Sequence, residues 1–145
     1  MPTPNPWKSY RQITTMTASP GQIVLMLYEG ALRSLELSLP GFTCPDPGQA
    51  NMTIHNNLQR ALEIIQQLNG ALNLEVGGEF ALTMRRLYDY FVRRIRQSNI
   101  RKESSGVEEV IRHMTVLRDA WATMLQNPSP VPGPVANAPA AYASI

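Results

Sequence analysis

Apolar residues crowd the stretch from Ile23 to Leu39, where Ile23, Val24, Leu25, Met26, Leu27, Tyr28, Leu32, Leu35 and Leu39 leave only Gln22, Glu29, Arg33 and Glu36 as a polar strip. On a helical wheel that strip is about 60° wide, so a helix here has to be enclosed on nearly every side. Ser19-Pro20-Gly21-Gln22 predicts where it begins: a serine N-cap, a proline in the first turn, and a glutamine three residues after the cap that can reach back to it. Pro40-Gly41 predicts its end near Leu39. After a loop through Phe42, Cys44 and Pro45-Asp46-Pro47, helical spacing resumes at Ile54, Leu58, Ala61, Leu62, Ile65, Leu68 and Leu72, which predicts a second helix from about Gln49 to Leu72. A third is expected from the Gly77-Gly78-Glu79 turn, with Phe80, Met84, Leu87, Tyr88, Phe91, Val92 and Ile95 on one face. A fourth is expected from Ser105-Gly106-Val107-Glu108, read as a capping box, with Val107, Val110, Ile111, Met114, Leu117, Trp121 and Leu125 as its stripe and Pro128 beyond its end. Four amphipathic segments on mostly short connections predict an all-α fold, an antiparallel four-helix bundle preceded by a short N-terminal cap segment.

The prolines sharpen this picture. Of 12 in 145 residues, three fall in the first six positions, five between Pro128 and Pro139, and none between Gly48 and Asn127. Proline in a helix interior removes a hydrogen bond and clashes with the preceding turn, so the proline-free stretch is where the long helices belong. The expected organisation is a flexible N-terminus over residues 1–7, a bundle domain over 8–126, and a disordered Pro/Ala-rich tail over 127–145 that carries no charge. The longest aliphatic and aromatic run, Ile23 to Tyr28, falls far short of the roughly 20 residues that span a bilayer, so membrane insertion is not expected. Met1-Pro2-Thr3-Pro4-Asn5-Pro6 shows no secretory-signal pattern, and the expected location is the cytoplasm.

Candidate chemistry is sparse. A single cysteine, Cys44, makes neither an internal disulfide nor a zinc site by itself. Bundles that hold two metal ions use a glutamate followed three residues later by a histidine, twice over; neither His55 nor His113 is so placed, and Glu109 with His113 is half a site. With no glycine-rich phosphate loop and only Lys8 and Lys102 as lysines, no catalytic residue, metal ligand or cofactor is assigned. Basic residues do cluster: Arg85, Arg86, Arg93, Arg94, Arg96, Arg101 and Lys102 hold seven of the 13 positive charges. Beside an outward-facing Tyr90, Arg86, Arg93 and Arg94 could form a nucleic-acid surface. The competing explanations are cations complementing the C-terminal end of a helix dipole and a patch for an acidic protein partner. The excess apolar surface of the first helix is equally open, covered either by three neighbours in the bundle or in part by a partner.

Specific strings carry more. Tyr10-Arg11-Gln12-Ile13 and Thr17-Ala18-Ser19-Pro20-Gly21-Gln22-Ile23-Val24-Leu25-Met26-Leu27-Tyr28-Glu29-Gly30-Ala31, then Leu74-Glu75-Val76-Gly77-Gly78-Glu79, Leu87-Tyr88-Asp89-Tyr90 with Arg93-Arg94, Asn99, and Leu117-Arg118-Asp119-Ala120-Trp121, resemble in order and spacing the FliS-type flagellin export chaperones. That resemblance implies a cytosolic helical bundle whose partners are the disordered C-terminal segment of flagellin and the flagellar type III export gate. It further implies an N-terminal cap and gate-docking segment at Trp7, Tyr10 and Ile13. Together with the predicted helix faces, it places a cargo groove at Leu62, Ile65, Tyr88, Phe91, Met114 and Leu117, each of which also has a plain core reading. Ser19, Pro20, Gly77, Gly78 and Trp121 read as fold determinants in the same pattern. Pro40 to Pro47 departs from it, where the family has a shorter polar turn. The alternatives are a small helical nucleic-acid-binding protein using the Arg85 to Lys102 patch, and a generic helical adaptor. A homodimer is left open.

Overall fold

The computed structural model describes residues 19–127 and 138–142. Four long helices, α1 (Pro20–Ser38), α2 (Pro47–Gly70), α3 (Leu74–Arg101) and α4 (Ser105–Gln126), are followed by a single helical turn, α5 (Ala138–Ala141). Each long helix neighbours the next and α4 returns to α1, closing a four-helix ring. The direction of packing shows in single contacts: Trp121 near the end of α4 donates its indole N–H to the Gly21 carbonyl at the start of α1, and His55 and Asn69 of α2 meet Asn99 and Asp89 of α3 in reverse order. The all-α antiparallel bundle is therefore as the periodicity predicts, and no strand occurs among the described residues.

The ends of the helices follow local chemistry, with two exceptions. α1 begins with the expected capping box: the Ser19 hydroxyl accepts from the Gln22 backbone N–H and the Gln22 side chain accepts from the Ser19 N–H. It gives way at Leu39 to a 3-10 turn, Leu39–Thr43, in place of the expected loop. α2 starts two residues early because Asp46 caps it, accepting from the Gly48 N–H. α3 opens at Leu74 under an Asn73 cap, breaks at Gly78 and then runs on to Arg101. Gly78 takes φ 56°, ψ −135°, a conformation open to glycine and to almost nothing else.

The first exception is the start of α4. The expected capping box is absent: Ser104 is the N-cap and makes no side-chain cap bond. The buried Ser98 hydroxyl of α3 instead accepts from the Val107 N–H, 3.1 Å away, while the Ser98 carbonyl accepts from both Lys102 and Glu103. Gly106 permits this approach, since a Cβ there would sit 2.5 Å from the Arg94 carbonyl and the Ser98 hydroxyl. A neighbouring helix has taken over the role of a local cap.

The second exception is the tail. Residues 127–145 were expected to be disordered, yet Ala138, Ala141 and Tyr142 are buried and α5 packs on α3. Small side chains make that approach feasible, because the Cβ of Ala141 lies where a Cβ on Gly77 would be only 2.8 Å away. Residues 1–18, 128–137 and 143–145 lie outside the described residues, and with them the expected N-terminal cap segment and the rest of the tail.

The core matches the predicted stripes. Ile54, Leu58, Ala61, Leu62, Ile65, Leu68 and Leu72 of the second stripe are all buried, as are Met84, Tyr88, Phe91 and Ile95 of the third and Val107, Val110, Met114 and Trp121 of the fourth. On α1, Val24, Tyr28, Ala31, Leu32 and Leu35 are buried, whereas Ile23, Leu25, Met26 and Leu27 are only half-buried. The bundle thus encloses one side of the over-apolar first helix and leaves part of the other within reach of solvent.

Candidate functional site

Five of the six expected groove residues, Leu62, Ile65, Tyr88, Phe91 and Met114, lie in the core, none more than 4% exposed. Only Leu117 reaches partway to the surface. Helical spacing alone brings these residues to one interior, where they pack on one another and not toward solvent. Trp7, Tyr10 and Ile13 lie outside the described residues.

The apolar side chains that do face solvent are others. Leu37, Met52, Leu74, Val76, Leu82, Ile100 and Val116 are exposed, Ile100 and Val116 most of all at 82% and 68%. Leu74, Val76 and Leu82 cluster along the opening of α3, around the Gly78 break. The available signal was their position off the apolar stripe: Val116, two residues past Met114, is turned roughly 200° from it on a helix.

Inside the bundle, three tyrosines meet. The Tyr88 hydroxyl lies 2.5 Å from that of Tyr28 on α1 and 2.5 Å from that of Tyr142 beyond α5. The Trp121 ring stands edge-on to Tyr142, with centroids 5.6 Å apart and planes at 88°. Burial disfavours the phenolate and pushes Tyr28 up to about 12, and it raises Tyr88 and Tyr142 well above their ordinary value. All three are neutral hydrogen-bonding groups at physiological pH. Among the described residues every buried side-chain polar atom has a hydrogen-bond partner, as a stable interior requires.

A second polar cluster sits on the surface where α3 meets α4. Tyr90 donates to Glu109, and the Arg94 guanidinium lies 3.0 Å from the other carboxylate oxygen. The Tyr90 hydrogen bond, supported by Arg94, holds the Glu109 carboxyl below its usual range, while the same bond raises Tyr90. Arg93 lies 5.8 Å over the Tyr90 ring. His113 is exposed, 4.0 Å from Glu109, with its ring stacked on Phe91.

This network corrects the outward-facing Tyr90. Its hydroxyl is tied to α4, and one ring face is already covered by Arg93. Arg94 is committed to Glu109 and Gln97, Arg85 to Asn69 and Lys102 to Asn99. Arg86, Arg93 and Arg96 line a shallow depression that also contains Asp89. Of the seven basic residues, Arg85 and Arg94 fasten α3 to a neighbouring helix, while Arg86, Arg93 and Arg96 outnumber the one carboxylate in the depression.

Among the described residues, no three His, Cys, Asp or Glu side chains come together as a metal site, and Cys44 is a free thiol. No helix among them is long and apolar enough to cross a membrane.

Comparison with known proteins bears on what such a bundle does. The family model described as flagellar protein FliS matches residues 3–128. The flagellar secretion chaperone FliS of Bacillus subtilis is 37% identical over 123 residues, covering 85% of this chain and 88% of the relative. The proteins of the same name from Salmonella typhimurium and Escherichia coli are 34% and 35% identical, covering 79% and 88% of this chain and 85% and 95% of theirs. The family match spans all four long helices, including the capped start of α1, the Gly77-Gly78 break and Trp121. The chain therefore belongs to the FliS family of flagellar secretion chaperones.

Proposed function

We propose that this protein is a cytosolic chaperone for flagellin: it binds the C-terminal segment of flagellin, keeps it from polymerising and hands it to the flagellar type III export gate. The observation that carries this reading is the family match over residues 3–128, with relatives named as flagellar secretion chaperones. The surface supports it physically. Half-buried Ile23, Leu25, Met26 and Leu27 on α1, half-buried Leu117 and exposed Val116 on the adjoining α4, and exposed Leu74, Val76 and Leu82 on α3 offer apolar contacts to an amphipathic chain.

A segment that polymerises by burying its apolar face cannot do so while that face lies on a chaperone. Wrapping a disordered segment loses chain entropy, which a long apolar contact must offset, so several separated patches suit this cargo better than one pocket. In this role Leu117 acts as a cargo contact. Leu62, Ile65, Tyr88, Phe91 and Met114 form the floor beneath the contact surface and touch cargo only where helices part. Trp7, Tyr10 and Ile13 are assigned to gate docking. No bond is made or broken in such a cycle.

The test is a polymerisation assay. Flagellin from the same organism, seeded to polymerise, should stay monomeric with an equimolar amount of this protein and should co-elute with it. Unchanged polymerisation and separate elution at tens of micromolar would overturn the reading.

A further inference from the structure

Among the described residues, one large core side chain, Tyr142, comes from beyond the four long helices and their short links: it belongs to a turn reached only after ten residues of Pro-rich chain, 128–137. The cleft that receives it has a defined chemistry. Its base is the Tyr88 hydroxyl, its wall is the Trp121 ring, and its rim is the α3 opening. There the Asn73 N–H donates to the Ala141 carbonyl at 2.9 Å, and Gly77 leaves room for the Ala141 methyl. Ala138 and Ala141, three positions apart, place two small groups on one side of the turn, with Tyr142 next to them. The cleft thus accepts a helical turn of small residues followed by a hydroxyl-bearing aromatic.

We infer that this cleft is a peptide-docking site filled in the free protein by the chain's own Ala138–Tyr142 turn, and that the turn is a plug which the cargo segment displaces. This rests on the chaperone reading above. Two features make the turn displaceable. Four helical residues cannot sustain themselves in water, so α5 persists only through its contacts. Its polar contacts to the bundle are one backbone hydrogen bond and one hydroxyl pair, beside the burial of Ala138, Ala141 and the Tyr142 ring, and the Tyr28–Tyr88 pair is made without it. Continuity with exposed Leu74, Val76 and Leu82 on the same stretch of α3 gives an arriving segment a place to land beside the plug.

Tethering by a short linker supplies an effective concentration on the order of millimolar. A turn with an intrinsic dissociation constant of about 100 µM would therefore fill the cleft most of the time and weaken a competing segment roughly tenfold. The experiment titrates the C-terminal segment of flagellin into the full-length protein, the Tyr142→Ala variant and the Tyr142→Phe variant, with helicity followed by circular dichroism. The expected result is native helicity in all three, about tenfold tighter binding by Tyr142→Ala, a smaller gain for Tyr142→Phe, and inhibition by a synthetic peptide of residues 137–145. Equal or weaker binding by Tyr142→Ala, or its wholesale loss of helicity, overturns the plug and makes the turn a fixed part of the fold. If the peptide of residues 137–145 fails to compete against Tyr142→Ala, the cleft is not the shared site. Binding by none of the three proteins overturns the chaperone reading itself, and the plug with it.

Discussion

Tyr88 and Tyr90 stand two positions apart on α3, and that spacing turns them to different sides of the helix. Tyr88 is fully buried and shares hydrogen bonds with two other phenols; Tyr90 is half-buried and donates to the Glu109 carboxylate at the surface. In the dry interior a phenol without a partner forfeits its hydration with nothing in return. At the surface, water replaces a lost partner, and a carboxylate–arginine contact adds little. Both clusters are built on a tyrosine hydroxyl, but loss of a partner at Tyr88 should cost more stability than loss of one at Tyr90.

The strongest break of that contrast is a cavity beside the buried cluster. Phe91 is fully buried and its ring meets Tyr88 edge-on; Phe91→Ala should lower unfolding stability by about 3–5 kcal/mol, read as a fall in the urea midpoint at unchanged slope. Tyr88→Phe keeps the ring and removes the central hydroxyl, so an expected loss of about 1–3 kcal/mol reports on unpartnered phenols alone. Ser98→Ala strips the Val107 N–H of its acceptor at the buried α3–α4 corner and should cost about 1–2 kcal/mol, visible as faster amide exchange in the first turn of α4. Tyr90→Phe should shift the thermal midpoint less than any of these. A larger shift for Tyr90→Phe than for Tyr88→Phe would reverse the ranking.

pH separates the same two regions. Burial raises Tyr28 from about 10 to about 12 and lifts its two neighbours, so the folded state holds protons that the unfolded chain releases. The stability this represents is complete below about pH 10, the ordinary tyrosine value, and drains away as pH climbs through the folded values. An alkaline unfolding transition accompanied by late appearance of tyrosinate absorbance is expected. Glu109 works in the opposite sense, because its pKa is lowered: its contribution is present above the ordinary carboxylate range and disappears as pH falls through the folded value. Acid titration should therefore loosen the Tyr90 contact while the three-tyrosine cluster stays intact.

Periodicity made the four helices and nearly all of the core legible, because each stripe is a local property of one segment. The start of α1 was legible for the same reason, its capping box closing within four residues. The start of α4 was misread although its sequence has the box pattern: Ser104 is the N-cap, so the Glu108 N–H that Ser105 was expected to cap donates to the Ser104 carbonyl, and Ser98 of the preceding helix takes the Val107 N–H. The docking of Tyr142 was invisible for a related reason: a lone tyrosine in an Ala/Pro-rich tail has no pattern, and its partners lie 54 residues away at Tyr88 and farther still at Tyr28. Helical spacing finds the side chains that face inward, which is why five of the six residues expected to line a groove are core, whereas the exposed apolar side chains Val76, Leu82 and Val116 fall off the stripe.

The role proposed for the apolar surface that the bundle leaves uncovered is to hold flagellin. Calorimetric titration of flagellin's C-terminal segment into the intact protein, repeated across temperature, tests it most directly. Saturable binding tighter than tens of micromolar, with a negative heat-capacity change from burial of apolar area and a clear loss of affinity in a Val76→Asp, Leu82→Asp double variant of native helicity, is the predicted result. No saturable heat, or binding untouched by those two charges, would contradict it.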